Sequence, residues 1–104
     1  MSVKLTVVYD NPTDPDAFEK HYKGVHMPIA SKIANVRRVE VAKVFPKEDG
    51  SPTPAHRVTD LYFDSYDDAC AAIATPEGQA AIKDALQIAT GGVKFLLSDI
   101  EYAS

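Results

Sequence analysis

Residues 4–9, KLTVVY, alternate in polarity and are rich in β-branched side chains, which predicts a strand. Asn11-Pro12-Thr13 reads as a turn. Asp14 then caps a helix, with Pro15 at its first position and Asp16 in its first turn. Phe18, Tyr22, Val25 and Ile29 recur at helical spacing and carry that helix to about Ile33. Val36 to Phe45 predicts a second strand, PKEDGSPTPA a loop, and Arg57 to Phe63 a third strand. Ser65 and Asp68 form a capping box ahead of a stripe made by Tyr66, Ala69, Cys70 and Ile73. Thr75-Pro76-Glu77 opens a further helix. Ile82, Ala85, Leu86 and Ala89 continue it to a stop at Gly91-Gly92. Val93 to Tyr102 is the last predicted strand.

The order β-α-β-β-α-β is the split βαβ, or ferredoxin-like, plan of the α+β class: an antiparallel sheet with its helices on one face. No repeat or composition shift divides residues 1–104, so one domain is expected. The plan leaves the second sheet face bare. Leu5, Val7 and Tyr9 alternate with Thr6 and Val8, and Val93, Phe95 and Leu97 with Leu96, Ile100 and Tyr102. Apolar side chains on both faces predict that both are covered, and a second copy of the chain about a two-fold axis is the simplest cover. A homodimer is therefore expected.

Composition excludes more than it assigns. Eleven basic residues against fifteen acidic give a net charge of −4, and no basic cluster exceeds Arg37-Arg38. That argues against a nucleic-acid footprint. The one cysteine, Cys70, has no internal disulfide partner, which points to a reducing compartment. No apolar run approaches the ~18 residues of a membrane helix, and MSVKLTVVYD does not read as a secretory leader. A cytoplasmic location without membrane contact is the expectation. No Cys/His metal set, phosphate loop or dinucleotide fingerprint appears, so no cofactor and no metal site are expected.

The candidate chemistry sits in FEKHYKGVHMPIASK, Phe18 to Lys32. Pro28 cannot donate to the Gly24 carbonyl, its ring clashes there, and Met27 is pushed away from helical geometry. The helix should kink or break between 24 and 28, beside His26, at a cost of ~3 kcal/mol or more. Five residues separate His21 from His26, so in an unbroken helix they diverge by roughly 140° and do not share a metal. Tyr22 and His26, four apart, share a face. His26 then lies at the edge of the helix–sheet seam, as either a structural histidine or a functional one. His56 comes after a loose loop and reads as a surface residue. Lys32 lies one turn past Pro28, and Asp60 shares a strand face with Val58 and Tyr62.

At HYKGVHMPIASK the chain resembles the EthD family, through His21-Tyr22, His26, Pro28, Ile29 and Lys32. Tyr9 near the end of the first strand and FDSYDDACAAIATPEGQAAIKDA are also similar. Where the family often turns into the second strand with Pro-Gly, this chain has Ile33-Ala34-Asn35, and asparagine tolerates a left-handed backbone. The resemblance implies a dimeric α/β barrel of ferredoxin-like subunits. It also implies a cofactor-independent enzyme of oxidoreductase or isomerase/cyclase type acting on a small apolar molecule. In that reading His26 is the general acid/base, Tyr22 a hydrogen-bond donor and His21 or Lys32 a polar support. Lys32, Tyr9 and Asp60 are its candidate substrate contacts. The competing reading is a non-catalytic homodimeric module that binds a metabolite or assists another enzyme. A cavity with His26 pointing into it separates the two.

Overall fold

A computed structural model describes residues 2–104. Four antiparallel strands form one sheet in the order β2-β3-β1-β4: β1 is Val3–Tyr9, β2 Arg38–Lys43, β3 Arg57–Phe63 and β4 Val93–Asp99. The first crossover runs through α1 (Pro15–His21), a π turn (Tyr22–His26) and α2 (Met27–Ala30). The second runs through α3 (Tyr66–Ala74) and α4 (Pro76–Ile88). This is the α+β ferredoxin-like plan read from the sequence. β2 and β4 are shorter than Val36–Phe45 and Val93–Tyr102: β4 ends at Asp99, after which Ile100 N–H donates to the Ser2 carbonyl at 3.0 Å, and Tyr102 lies past the strand. Asn35 takes the left-handed backbone, with φ 65°, and the chain turns there into β2.

Both central strands, β1 and β3, alternate strictly between buried and half-buried positions. Val3, Leu5, Val7, Tyr9, Leu61 and Phe63 face the helices and form the core with Phe18, Tyr22, Ala69, Ala72 and Ala85. The open face carries more polar groups than the alternation predicts. Lys4, Thr6, Asp60, Tyr62, Glu40 and Arg38 pair across it, while Val8, Val58 and Leu96 supply its apolar part.

The two crossovers meet their prolines differently. Thr75 is extended, at φ −69° and ψ 159°, and its hydroxyl accepts from Gly78 N at 3.0 Å, so α3 stops and α4 starts afresh at Pro76. Met27, before Pro28, is helical at φ −60° and ψ −42°. The expected break is therefore absent. The helix widens instead, and Met27 N–H donates to the Tyr22 carbonyl five residues back. Widening the turn draws the Gly24 carbonyl away from the proline ring without ending the helix. The extra residue also shifts which side chains face inward. Val25, on the inward stripe of a plain α-helix, is 45 % exposed, and His26 is buried in its place.

Candidate functional site

The π turn decides which side chains face the sheet. Tyr22 and His26 stack, with ring centroids 5.3 Å apart and planes at 21°, as their spacing predicts. His21 and His26 do not diverge as a plain helix requires: the widened turn brings residue i+5 round toward residue i. Both reach one carboxylate. His26 Nδ1 lies 2.8 Å from Asp84 Oδ2, and His21 Nε2 lies 2.8 Å from Asp84 Oδ1. The His26 side chain is 9 % exposed and that of His21 37 %.

Asp84 was not legible as a site residue because the stripe on α4 is rotated from the one read in the sequence. Ala81, Asp84 and Ala85 are buried with Ile88 half-buried beside them, whereas Leu86 is 58 % exposed. The signal that finds it is a carboxylate at helical spacing between small apolar residues, at positions 81, 84, 85 and 88.

His26 lines a cavity of about 140 Å³ between helices and sheet. Leu5, Val7, Leu61 and Phe63 form its floor, and Met27, Ile33 and Ala85 are part of its roof. Its polar lining residues are Tyr9, Tyr22, His26, Ser31 and Thr59. Three of these are engaged elsewhere: the Tyr22 and Thr59 hydroxyls bond to each other, and Ser31 Oγ donates to the Pro28 carbonyl. That leaves His26 Nε2 and the Tyr9 hydroxyl, 3.4 Å apart. Burial, with Tyr22 and Asp84 nearby, pushes the Tyr9 hydroxyl above its ordinary range, so it stays protonated. Burial also raises Tyr22, against the opposing pull of the Thr59 hydroxyl and Arg57. A second cleft, of about 160 Å³, is bordered by His21 together with Thr13, Asp14, Phe18, Ile88 and Thr90 among others.

Tyr9, His21, Tyr22 and His26 thus come together, and Lys32 and Asp60 lie apart from them. Lys32 is exposed and outside the cavity lining. Asp60 is on the open sheet face, where it accepts from Thr6 Oγ1. His56 is not a surface residue: at 6 % exposure it faces Glu19 at 3.0 Å. Arg57 binds the same carboxylate and lies over the Tyr22 ring at 4.9 Å. Burial alone would raise Glu19, but bonds from Arg57 and His56 outweigh it and hold the carboxyl at about 2. Among the described residues, no three His, Cys, Asp or Glu side chains are placed to hold a metal ion. No helix of these residues is long and apolar enough to cross a membrane.

The sequence pattern of the EthD domain matches residues 10–89, which include the π turn and Asp84. The chain belongs to the EthD family. It is 41 % identical over 98 residues to an 11.0 kDa uncharacterised protein of the thcB–thcC intergenic region of Rhodococcus erythropolis, covering 94 % of each chain. An EthD family protein of Bacillus halodurans superposes with a TM-score of 0.89 at 29 % identity, over 95 % of this chain and 98 % of that one. More distant structures share the fold alone. One is a dimeric ferredoxin-like protein of Bacteroides fragilis, at 18 % identity, TM-score 0.66 and coverages of 94 % and 95 %. Another is SnoaB of Streptomyces nogalater, a cofactor-independent oxygenase, at 14 % identity, TM-score 0.68 and coverages of 98 % and 95 %.

Proposed function

We propose that this EthD family chain is an enzyme that moves a proton on a small, neutral, ring-sized molecule, with His26 as the base. One observation carries the reading: in a mostly apolar cavity, His26 Nε2 and the protonated Tyr9 hydroxyl face each other at 3.4 Å, a long contact that a bound oxygen can replace. A cavity of about 150 Å³ lined by apolar side chains holds a molecule the size of benzene. The lining contains no Lys or Arg, so a carboxylate ligand would be buried without a partner, which is costly. A neutral ketone, lactone or phenol fits instead, with its carbonyl or hydroxyl oxygen toward Tyr9.

His26 Nε2 would take the proton from a carbon next to the carbonyl. The C–H electron pair moves into a new C=C bond, and the negative charge goes to the carbonyl oxygen, which accepts from Tyr9. Returning the proton to a different carbon isomerises the molecule and consumes nothing. If dioxygen meets the carbanion first, a peroxide anion forms and takes the proton from His26, giving a hydroperoxide. The likeness to SnoaB supports including that branch. Histidine suits the task, since its ordinary pKa lies near neutral pH.

A homodimer through the open sheet faces belongs to the same proposal, supported by the dimeric relative of this fold and by Val8, Val58 and Leu96 on that face. Light scattering should give twice the chain mass at micromolar concentration. The chemistry is tested by incubating the protein in D₂O with matched pairs of ring compounds, neutral and carboxylated, and following carbon-bound deuterium by mass spectrometry. Neutral members should gain deuterium and raise the melting temperature, and His26→Gln should keep the thermal shift and lose the exchange. Binding without exchange in both proteins would leave a non-catalytic binding module as the correct reading.

A further inference from the structure

The catalytic reading leaves the buried Asp84 carboxylate unused. Asp84 touches nothing in the cavity through its carboxylate, yet it is held between two imidazoles at 2.8 Å each. An ionised carboxylate only accepts hydrogen bonds. Both facing nitrogens therefore carry protons: Nδ1–H of His26 and Nε2–H of His21. Neutral His26 then has its lone pair on Nε2, the nitrogen that faces Tyr9 and the cavity, and the protonated Tyr9 hydroxyl donates to it. His21 has the other arrangement. Its inner nitrogen is bonded to Asp84, its outer nitrogen is Nδ1, and the residue borders the second cleft.

We infer that Asp84 is a positioning residue that fixes the tautomer of His26 and couples its charge to that of His21, so that proton uptake in the cavity is matched by proton release in the second cleft. This rests on His26 being the base. One carboxylate supports one imidazolium in a buried site, and a second would leave a net positive charge there. Before the transfer His26 is neutral and His21 is the imidazolium, with protons on both nitrogens. When His26 Nε2 takes a proton from the ligand, His21 gives its Nδ1 proton to water, and the reverse occurs when the ligand is reprotonated. One proton enters the group and one leaves, with none crossing the carboxylate. Around His26 stand the neutral hydroxyls of Tyr9, Tyr22, Thr59 and Ser31, with the Arg57 guanidinium over the Tyr22 ring and paired to Glu19, and Asp14 borders the cleft with His21. The arrangement depends on the π turn, since a plain helix would aim His21 and His26 in different directions.

The test reads the histidines and not turnover. In the full chain with ¹⁵N-labelled histidine, neutral His26 should appear as the Nδ1–H tautomer, and finding the Nε2–H form would overturn the inference. On acid titration each histidine should register the other's step. His21→Gln, a change at a half-exposed position, should reduce the His26 curve to a single step. An unchanged His26 curve would equally overturn it. In Asp84→Asn the amide offers one acceptor and one donor, so one of the two rings should switch tautomer. If that variant does not fold, the wild-type tautomer and His21→Gln decide. Fixed tautomers and coupled steps without any ligand exchange would sink the base and leave the coupling. Exchange lost in His26→Gln without coupled steps would do the opposite.

Discussion

The two crossovers of this fold each carry a proline at mid-length and solve it in opposite ways. Before Pro76 stands Thr75, whose hydroxyl caps a new helix, so the chain stops and restarts. Before Pro28 stands Met27, which has no such hydroxyl, and the helix runs on through a wide turn. The attachments to the rest of the protein differ as well. The second crossover packs small residues, Ala69, Ala72, Ala81 and Ala85, with the one buried carboxylate of Asp84 among them. The first is tied by aromatic rings and ions: Tyr9–Phe18 and Tyr9–Tyr22 edge contacts, Glu19 with Arg57 and His56, and the two histidines on Asp84. A capped proline thus gives a stable corner. An uncapped one gives a distorted turn, the kind of irregularity found at functional sites.

The largest expected effect is at the close-packed corner. A Cβ on Gly78 would meet the Ala72 carbonyl oxygen at 2.3 Å and the Ile73 carbonyl oxygen at 2.7 Å. Backbone cannot rotate away as a side chain does, so Gly78→Ala should destabilise by about 3 kcal/mol in denaturant unfolding. A loss under about 1 kcal/mol would mean the corner is not close-packed. Next comes the charged attachment. Asp84→Ala leaves two imidazole N–H groups without their acceptor, one of them buried, and should cost about 2 kcal/mol. Asp84→Asn, which keeps one acceptor, should cost less, and equal losses would show that hydrogen bonding at Asp84 contributes little.

Charge in the first crossover also predicts a pH dependence. Glu19 sits at about 2 against an ordinary 4.5. Because the folded value is depressed, the stability it adds is complete above pH 4.5 and drains as pH falls toward 2. After allowing for solvent screening of a carboxylate near the surface, the loss is about 1–2 kcal/mol. Unfolding curves at pH 6 and at roughly pH 2.5 should therefore converge for wild type and Glu19→Gln as the acid is reached. Parallel pH profiles would remove the ion cluster from the account.

The regular crossover was the more legible one. Ser65 with Asp68, and Thr75 with Pro76, are local signals whose effect ends within one turn, so the starts of α3 and α4 stand as read. Periodicity was less reliable about direction. Alanines weigh little in an apolar stripe, and choosing Leu86 over Ala81 rotated α4 enough to hide Asp84. In the first crossover the proline and glycine marked the right place. A period of 3.6 cannot describe a turn closed five residues back, so Val25 was placed inward and His26 at the edge. Once the extra residue is counted, the same sequence puts Phe18, Tyr22 and His26 in a row, each four apart and each buried.

The smallest expected effect concerns what holds that extra residue. Glycine is the residue where a distorted backbone meets least steric cost, which made Gly24 the natural place for a break. The structure gives it no such task. Its φ is not positive, and a Cβ there would have no heavy atom within 4 Å. The wide turn is then set by Pro28 and by the pull of Asp84 on both histidines, and Gly24 only adds entropy to the unfolded chain. Gly24→Ala should stabilise by about 0.5–1 kcal/mol, with both histidine tautomers unchanged in the ¹⁵N spectrum. A destabilised variant with altered tautomers would show that the turn needs the glycine's freedom. The contrast between the crossovers would then rest on residue 24 as well as on the missing cap before Pro28.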